Sequence, residues 1–581
     1  MTTGGAMTSG VRALAGAHRC GDRDPRDTIE QVIEALRVTQ DRFIWINRVP
    51  DEQLRARATE LAAGRRDLPL LGVPFAVKDN IDVAGLPTTA GCPDFAHVPA
   101  QTAFVVRCLL AAGAILVGKT NMDQFATGLA GTRTPYGACA SVVSPQHVSG
   151  GSSSGSAVAV GAGVVAFALG TDTAGSGRVP AAFNAIVGLK PTIGRLSTHG
   201  VLPACRTLDC VTIFARDAGD AAAVLAVAGR FDQADPFSRQ VPSPTPRGRP
   251  SVIGVPRDAD LGELDAPGRR AWRAARARIA GLADDLVEIE IEPFVEAARL
   301  LYDGPWVAER YVAVGEFLER DDIVADPTVR AIVLAGAKLS ATDAFRGLHR
   351  LAELRLATNS VWERIDALAL PTVPSQPTHA EVAADPVGVN ARLGLWTNFV
   401  NLLDLAAVAV PAEARDDGRP FGVTFTAPAW SDESLLRLAV AFERTATTQV
   451  DVAVVGAHLS GMARNHELVE HGARRVRCAR TAPCYRLFDL ADGTGRPGLI
   501  RDPDGHGAEV EIEIWRLGAA AFGSFVAAVR APLAIGSLEL ADGTTVHGFL
   551  CEAHAVRDAR EVTQYGGWRE YLATASSGSP A

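Results

Sequence analysis

Residues 157–170 are built almost wholly from Ala, Gly and Val, and a serine- and glycine-rich segment stands at each end: GGSSSGS at 150–156 and GTDTAGSGR at 170–178. The apolar run is too short to cross a bilayer, which takes about 20 residues. Side chains this small let neighbouring backbone pack closely, so the run reads as a buried element. That burial rules out a flexible linker. A P-loop does not fit either, because no GK[ST] follows the glycines. What remains is a pair of turns in which backbone amides approach a ligand without obstruction from side chains. A serine held among such amides can act as a nucleophile beside its own oxyanion hole.

A serine of this kind needs a base, and neither GxSxG nor a Ser-His-Asp set is evident. Lys78 closes the apolar run VPFAVKDN (73–80), in which Val73, Phe75 and Val77 alternate with Ala76 and Lys78 as in a short strand. A buried ammonium is disfavoured, so such a lysine loses its proton more readily and can serve as a base. A drop of about three pH units from its free value corresponds to roughly 4 kcal/mol.

The 581 residues exceed one ordinary core and imply at least two domains. A helix is predicted from Pro25, with Asp24 as its cap and Ile29, Val32, Ile33 and Leu36 on one face. A second is predicted over Asp51–Ala63. Helical and strand-like segments then alternate to about Val410, an α/β pattern in which helices cover a sheet. A helix over Asp432–Thr445 closes this first domain, placed at 20–447. A smaller, strand-rich α+β domain is placed at 450–575, with strands at Val450–Val455, Val510–Trp515 and Leu533–Leu540.

The net charge of -9 argues against wrapping nucleic acid, and an anionic substrate would have to be gathered by local cations. The nine cysteines show no CxxC spacing and there is no HExxH, so reduced, buried thiols and no metal site are expected. The first ten residues lack a basic segment followed by an apolar one. A cytoplasmic chain that does not enter a membrane is therefore expected.

VPFAVKDN, GGSSSGS, GTDTAGSGR and VPAAFNAIVGLKPT (179–192) together resemble the amidase-signature family, over roughly Ile29 to Thr445. The resemblance implies a central mixed sheet covered by helices. It assigns Ser176 as nucleophile, Ser152 as a bridging serine on a cis peptide, and Lys78 as base. It places the oxyanion hole at the amides of Thr173, Ala174, Gly175 and Ser176. Asp172 and Arg178 flank this loop and are expected to hold it rigid. No cofactor is implied.

The runs at 119–137, 235–239, 300–311 and 395–411 are similar to the allophanate hydrolase branch of that family. The implied substrate is a small molecule, a urea unit bearing a carboxylate. Tyr302 and Arg310 are assigned to its binding, and a guanidinium grips a carboxylate through two parallel hydrogen bonds. Eight residues on one helix is two turns plus about 80°, so a shared helix would let both face one cavity. The products would be ammonia and N-carboxycarbamate, then carbon dioxide and more ammonia.

VAVVGAHLSGMARNHEL (452–468), TAPCYRLFDL, GFLCE and QYGGWREYL resemble the C-terminal domain of that branch, itself similar to the γ-glutamyl cyclotransferase-like fold. The turn Gly456–Gly461 could present amides to a small anion. His458 is the polar candidate there, with a hydrogen-bonded structural histidine as the alternative; Glu513, in the strand VEIEIW, is a candidate acid or base, with an exposed strand-face glutamate as the alternative. Two other functions remain open: an amidase for a different small amide, and a non-catalytic assembly protein. A homodimer or larger assembly is also left open.

Overall fold

The computed structural model describes residues 9–242, 248–447, 449–490 and 496–577. The N-terminal reading therefore falls mostly outside the described residues. The chain divides into two compact units. Residues 1–269 with 283–443 form one, and residues 270–282 with 444–581 form the other.

The first unit is built on a mixed sheet of eleven strands among the described residues. In spatial order they are Trp45–Arg48, Ile115–Thr120, Pro74–Lys78, Phe167–Asp172, Cys210–Ala215, Val187–Lys190, Leu405–Pro411, Gly422–Pro428, Ala367–Pro371, Val252–Pro256 and Asp285–Ile289. Pro74–Lys78 runs parallel to both its neighbours, whereas Phe167–Asp172 runs antiparallel to Cys210–Ala215. All five residues of Pro74–Lys78 are buried, so its alternation marks no solvent-facing side. Strands covered on both faces are characteristic of sheets packed between helices.

The small-residue run divides in two: a helix over Ser154–Gly161 and the strand Phe167–Asp172. The helix is buried except at its last residue because its side chains are so small. A Cβ on Gly155 would lie 2.6 Å from the Asn121 amide nitrogen, so only glycine permits this approach. The first helix motif forms over Pro25–Val38, with the Asp24 carboxylate accepting the Arg26 amide at 2.8 Å. The second covers Asp51–Ala63.

The second unit holds a five-stranded sheet in the order Arg474–Arg480, Glu511–Gly518, Gln449–Val454, Thr545–Cys551 and Leu533–Glu539. A three-stranded sheet of Pro497–Arg501, Tyr485–Asp489 and Arg560–Glu561 accompanies it. Its own core includes Val452, Leu487, Ile512, Phe525 and Trp568.

The cysteines depart in part from expectation. All nine are unpaired, but only Cys92, Cys139, Cys205 and Cys210 are buried; Cys20 and Cys478 are exposed. Among the described residues no helix is long and apolar enough to cross a membrane, and no cluster of side chains could hold a metal ion.

Candidate active site

Strand ends and turns bring three distant residues together. Lys78 ends its strand, Ser152 stands just before the buried helix, and Ser176 lies in the turn after Phe167–Asp172. The Gly151–Ser152 peptide bond is cis. Lys78 Nζ donates to Ser152 Oγ at 2.8 Å and to Thr171 Oγ1 at 2.7 Å. Ser152 Oγ and Ser176 Oγ share a hydrogen bond of 2.9 Å. Lys78 and Ser152 are fully buried and Ser176 is 2 % exposed.

Burial pushes the Lys78 amine down to about 7, although Asp123, Asp209 and Asp172 favour its charged form; the Arg310 charge adds to the depression. An amine that is half neutral near pH 7 and linked through one hydroxyl to a second is a path for a proton.

The turn holding Ser176 is fixed from both sides. Arg178 Nε and Nη2 grip the two oxygens of Asp172, each at 2.9 Å, and Gly177 gives its amide to the same carboxylate at 3.0 Å. Arg178 Nη1 reaches the Thr397 carbonyl at 2.9 Å, and Asn401 Nδ2 donates to the carbonyls of Asp172 and Leu208. Burial alone would raise Asp172, but Arg178 and the Gly177 amide hold it below the usual carboxylate range. Gly175 has φ +142°, and a Cβ there would lie 2.7 Å from Thr397 Cβ. Among the described residues the amides of Ala174, Gly175 and Ser176 have no protein acceptor. Amides without an acceptor, in the turn that carries a serine hydroxyl, are donors an oxyanion could use.

Tyr302 and Arg310 do not share a helix, contrary to the sequence reading. Tyr302 belongs to Glu292–Asp303 and Arg310 to Trp306–Leu318. Pro305 supplies no amide to continue the first helix, and it disfavours helical geometry at Gly304. The break still leaves the two side chains in contact, with the guanidinium carbon 5.5 Å from the Tyr302 ring centre. Arg310 is 2 % exposed and donates through Nη1 to Thr127 Oγ1 at 2.8 Å. Its Nε and Nη2 are buried and have no partner among the described residues. These two atoms form one side of the guanidinium fork, the same side by which Arg178 holds Asp172.

Sequence reasoning passed over four residues. Thr171 shares the lysine amine. Asp123 packs beneath the site, taking the amides of Gly131 and Arg133 and giving its own to the Ser152 carbonyl. Asp209 takes the Thr173 hydroxyl, and Thr127 holds Arg310. Asp123 and Thr127 lie in the run at 119–137 and Thr171 in GTDTAGSGR, but residue type and spacing carried no sign of their partners.

In the second unit, His458 stacks on Phe549 with ring centres 5.1 Å apart and meets Glu467 Oε2 at 3.0 Å. Burial lowers its pKa, with Glu467 opposing. It lines a cavity with Arg464, Glu467, Arg530, Phe525 and Phe549. Glu513 is not on an exposed face: it is fully buried. Its carboxylate accepts from Ser460, Trp515, Arg475 and Arg569, which hold it down at about 2 against the effect of burial. An anion so fully bonded anchors the 456–461 turn and is poorly suited to exchange protons near neutrality. The amides of Leu459 and Ser460 are already taken, by the Gly456 carbonyl and Glu513, so neither is free for an anion.

The amidase family profile matches residues 27–436, which span Lys78, Ser152, Ser176 and Arg310. The chain belongs to the amidase family. The profile of the allophanate hydrolase C-terminal domain matches residues 450–573. Urea amidolyases of Lachancea kluyveri and Saccharomyces cerevisiae are each 41% identical over 94% of this amidase, which spans 32% of their length. The chain thus covers about a third of these curated relatives. Among solved structures, Kluyveromyces lactis allophanate hydrolase superposes with a TM-score of 0.72 at 38% identity, over 99% of this amidase and 100% of that chain.

Proposed function

We propose that this amidase hydrolyses allophanate at its terminal amide. The observation that carries the proposal is Arg310: a buried guanidinium with the Nε–Nη2 side of its fork unfilled, close enough to bear on the Lys78 amine. A buried cation without its partner is costly, and a carboxylate fits that fork through two charge-assisted bonds. The resemblance in both units to allophanate hydrolase, and the likeness to urea amidolyases, support the same substrate.

In this reading neutral Lys78 accepts the Ser152 proton while Ser152 takes that of Ser176. Ser176 Oγ attacks the urea carbonyl, and the amides of the 173–176 loop hold the resulting oxyanion. The proton then returns through Ser152 to the amine nitrogen, which leaves as ammonia. Water cleaves the acyl-serine by the same relay, releasing N-carboxycarbamate. Loss of carbon dioxide and a second ammonia follows. We assign any assistance to that later step to the His458 cavity, with Glu513 as a structural anchor.

The test is ammonia release by the purified chain from allophanate, malonamide and an aryl amide at equal concentrations. Preference for allophanate by at least about tenfold in kcat/KM is expected, since a satisfied buried fork is worth more than about 1.4 kcal/mol. Preference for the neutral amides would point to an amidase of different specificity.

A further inference from the structure

One short loop, residues 204–209, is bonded to both ends of the proposed site. Asp209 is 5 % exposed. Its Oδ1 accepts the Thr173 hydroxyl at 2.5 Å and the Cys205 amide at 3.3 Å, and its Oδ2 accepts the Ala204 amide at 2.8 Å. The carboxylate therefore joins the first residue of the oxyanion loop to the start of its own loop. The same loop is fastened to the helix that carries Arg310. The Cys205 thiol donates to the Trp306 carbonyl at 3.4 Å, one helical turn before Arg310. Thr207 gives its amide and its hydroxyl to the carboxylate of Glu309, the residue next to Arg310, at 3.3 and 2.7 Å.

None of these groups takes part in the proton relay, yet between them they fix how far the oxyanion loop lies from the guanidinium. We propose that Asp209 is a positioning residue that sets this distance, so that an amide is held for attack only while its carboxylate reaches Arg310. The proposal rests on the reading of Arg310 as the carboxylate site. A displacement of about 1 Å at a reacting group can lower the rate by roughly a hundredfold, so such a tether is enough to affect both turnover and selectivity.

Burial raises the Asp209 carboxyl to about 6, so above that pH, where the Lys78 limb lies, Asp209 also contributes charge. Lys78 is faced by Asp123, Asp172, Asp209 and Arg310, and Asp209 favours the protonated amine. Replacing Asp209 by a neutral residue removes that support, so the ascending limb of the rate profile moves to lower pH. Lost packing alone leaves the limb in place.

The experiment compares Asp209→Asn, Thr173→Val and the double variant with the unaltered full chain on allophanate and on malonamide. Asp209→Asn is expected to lower kcat about 10- to 100-fold on both substrates, to raise KM for allophanate but not for malonamide, and to shift the ascending limb downward. The double variant is expected to be slower than Asp209→Asn by less than the factor that Thr173→Val costs alone, because both changes weaken the one link between Thr173 and the 204–209 loop. Unchanged kcat, an unmoved limb, or losses that multiply in the double variant would overturn the proposal. If Asp209→Asn does not fold, Thr173→Val and Glu309→Gln replace it. Their combined effect on allophanate kcat/KM should be less than the product of the single effects, and a full product overturns the tether. Should the unaltered chain release no ammonia from allophanate, the substrate reading fails, while the malonamide kcat of Asp209→Asn still decides whether Asp209 positions the loop.

Discussion

At pH 7 the unfolded chain protonates Lys78, while the folded chain holds it about half neutral. The folded pKa lies below the unfolded one, so the unfolded state binds more protons between pH 7 and 10.5. Stability at this residue therefore rises with pH through that window, and below pH 7 the full penalty, about 5 kcal/mol, persists. Lys78→Met should abolish turnover and also stabilise the fold, by roughly 1–3 kcal/mol at pH 7 after two hydroxyls lose a partner. The gain should shrink toward pH 10.5; urea denaturation at pH 6, 7 and 9 measures it. In the unaltered enzyme, kcat should climb through pH 7 as the amine loses its proton. Arg310→Lys retains charge but not the fork, so kcat/KM should fall about 100-fold on allophanate and less than about threefold on malonamide. Equal losses would make Arg310 a structural residue. Glycines and an apolar strand end mark Lys78, Ser152 and Ser176 in the chain as candidates, and the fold joins them by hydrogen bonds. Thr171, Asp123 and Asp209 carry no such mark, because their partners are set by the sheet order and nothing local distinguishes them.

Elements position these residues more tightly than their lengths suggest. The serine turn is held by the buried Asp172–Arg178 pair, and Arg178 also reaches the Thr397 carbonyl and the Asn401 side chain. Arg178→Met leaves Asp172 as an unpaired buried anion, so a loss of about 3–5 kcal/mol in unfolding free energy is expected, together with slower turnover in the folded fraction. Normal stability would show that the carboxylate finds other donors. A helix of the first unit was legible where periodicity and a cap were both strong, as at Pro25–Val38, whereas Asp51–Ala63 forms without a side-chain cap. The small-residue run was readable as buried, but its division into helix and strand was not, since Ala, Gly and Val give no period. Tyr302 and Arg310 show the opposite failure. Their spacing suited one helix, and the Gly304–Pro305 break, visible in the sequence, outweighed it.

At the scale of the whole molecule, the proposed relay, the proposed oxyanion loop and Arg310 all lie in the first unit, and His458 and Glu513 in the second. A change in composition places a break near residue 450, and the compact units divide between residues 443 and 444. The grouping of residues 270–282 with the later unit was not legible, because a helical segment carries no mark of the core it joins. We propose that first-bond cleavage does not need the chemistry of the second unit. Glu513→Gln should weaken the 456–461 turn and lower the stability of that unit by about 1–3 kcal/mol, through a lost charge-assisted bond set. Its contribution is present above the ordinary glutamate range and fades as pH falls toward 2. Release of the first ammonia should remain within about threefold of the unaltered rate, since none of its groups is touched. Loss of that step would mean that the second unit completes the amide-cutting site. The most direct measurement is single-turnover ammonia release from allophanate by the unaltered chain and by Ser176→Ala, both checked for folding. Stoichiometric ammonia from the first and none above background from the second is expected. Ammonia from folded Ser176→Ala at a comparable rate, or none from the unaltered chain, would contradict the account.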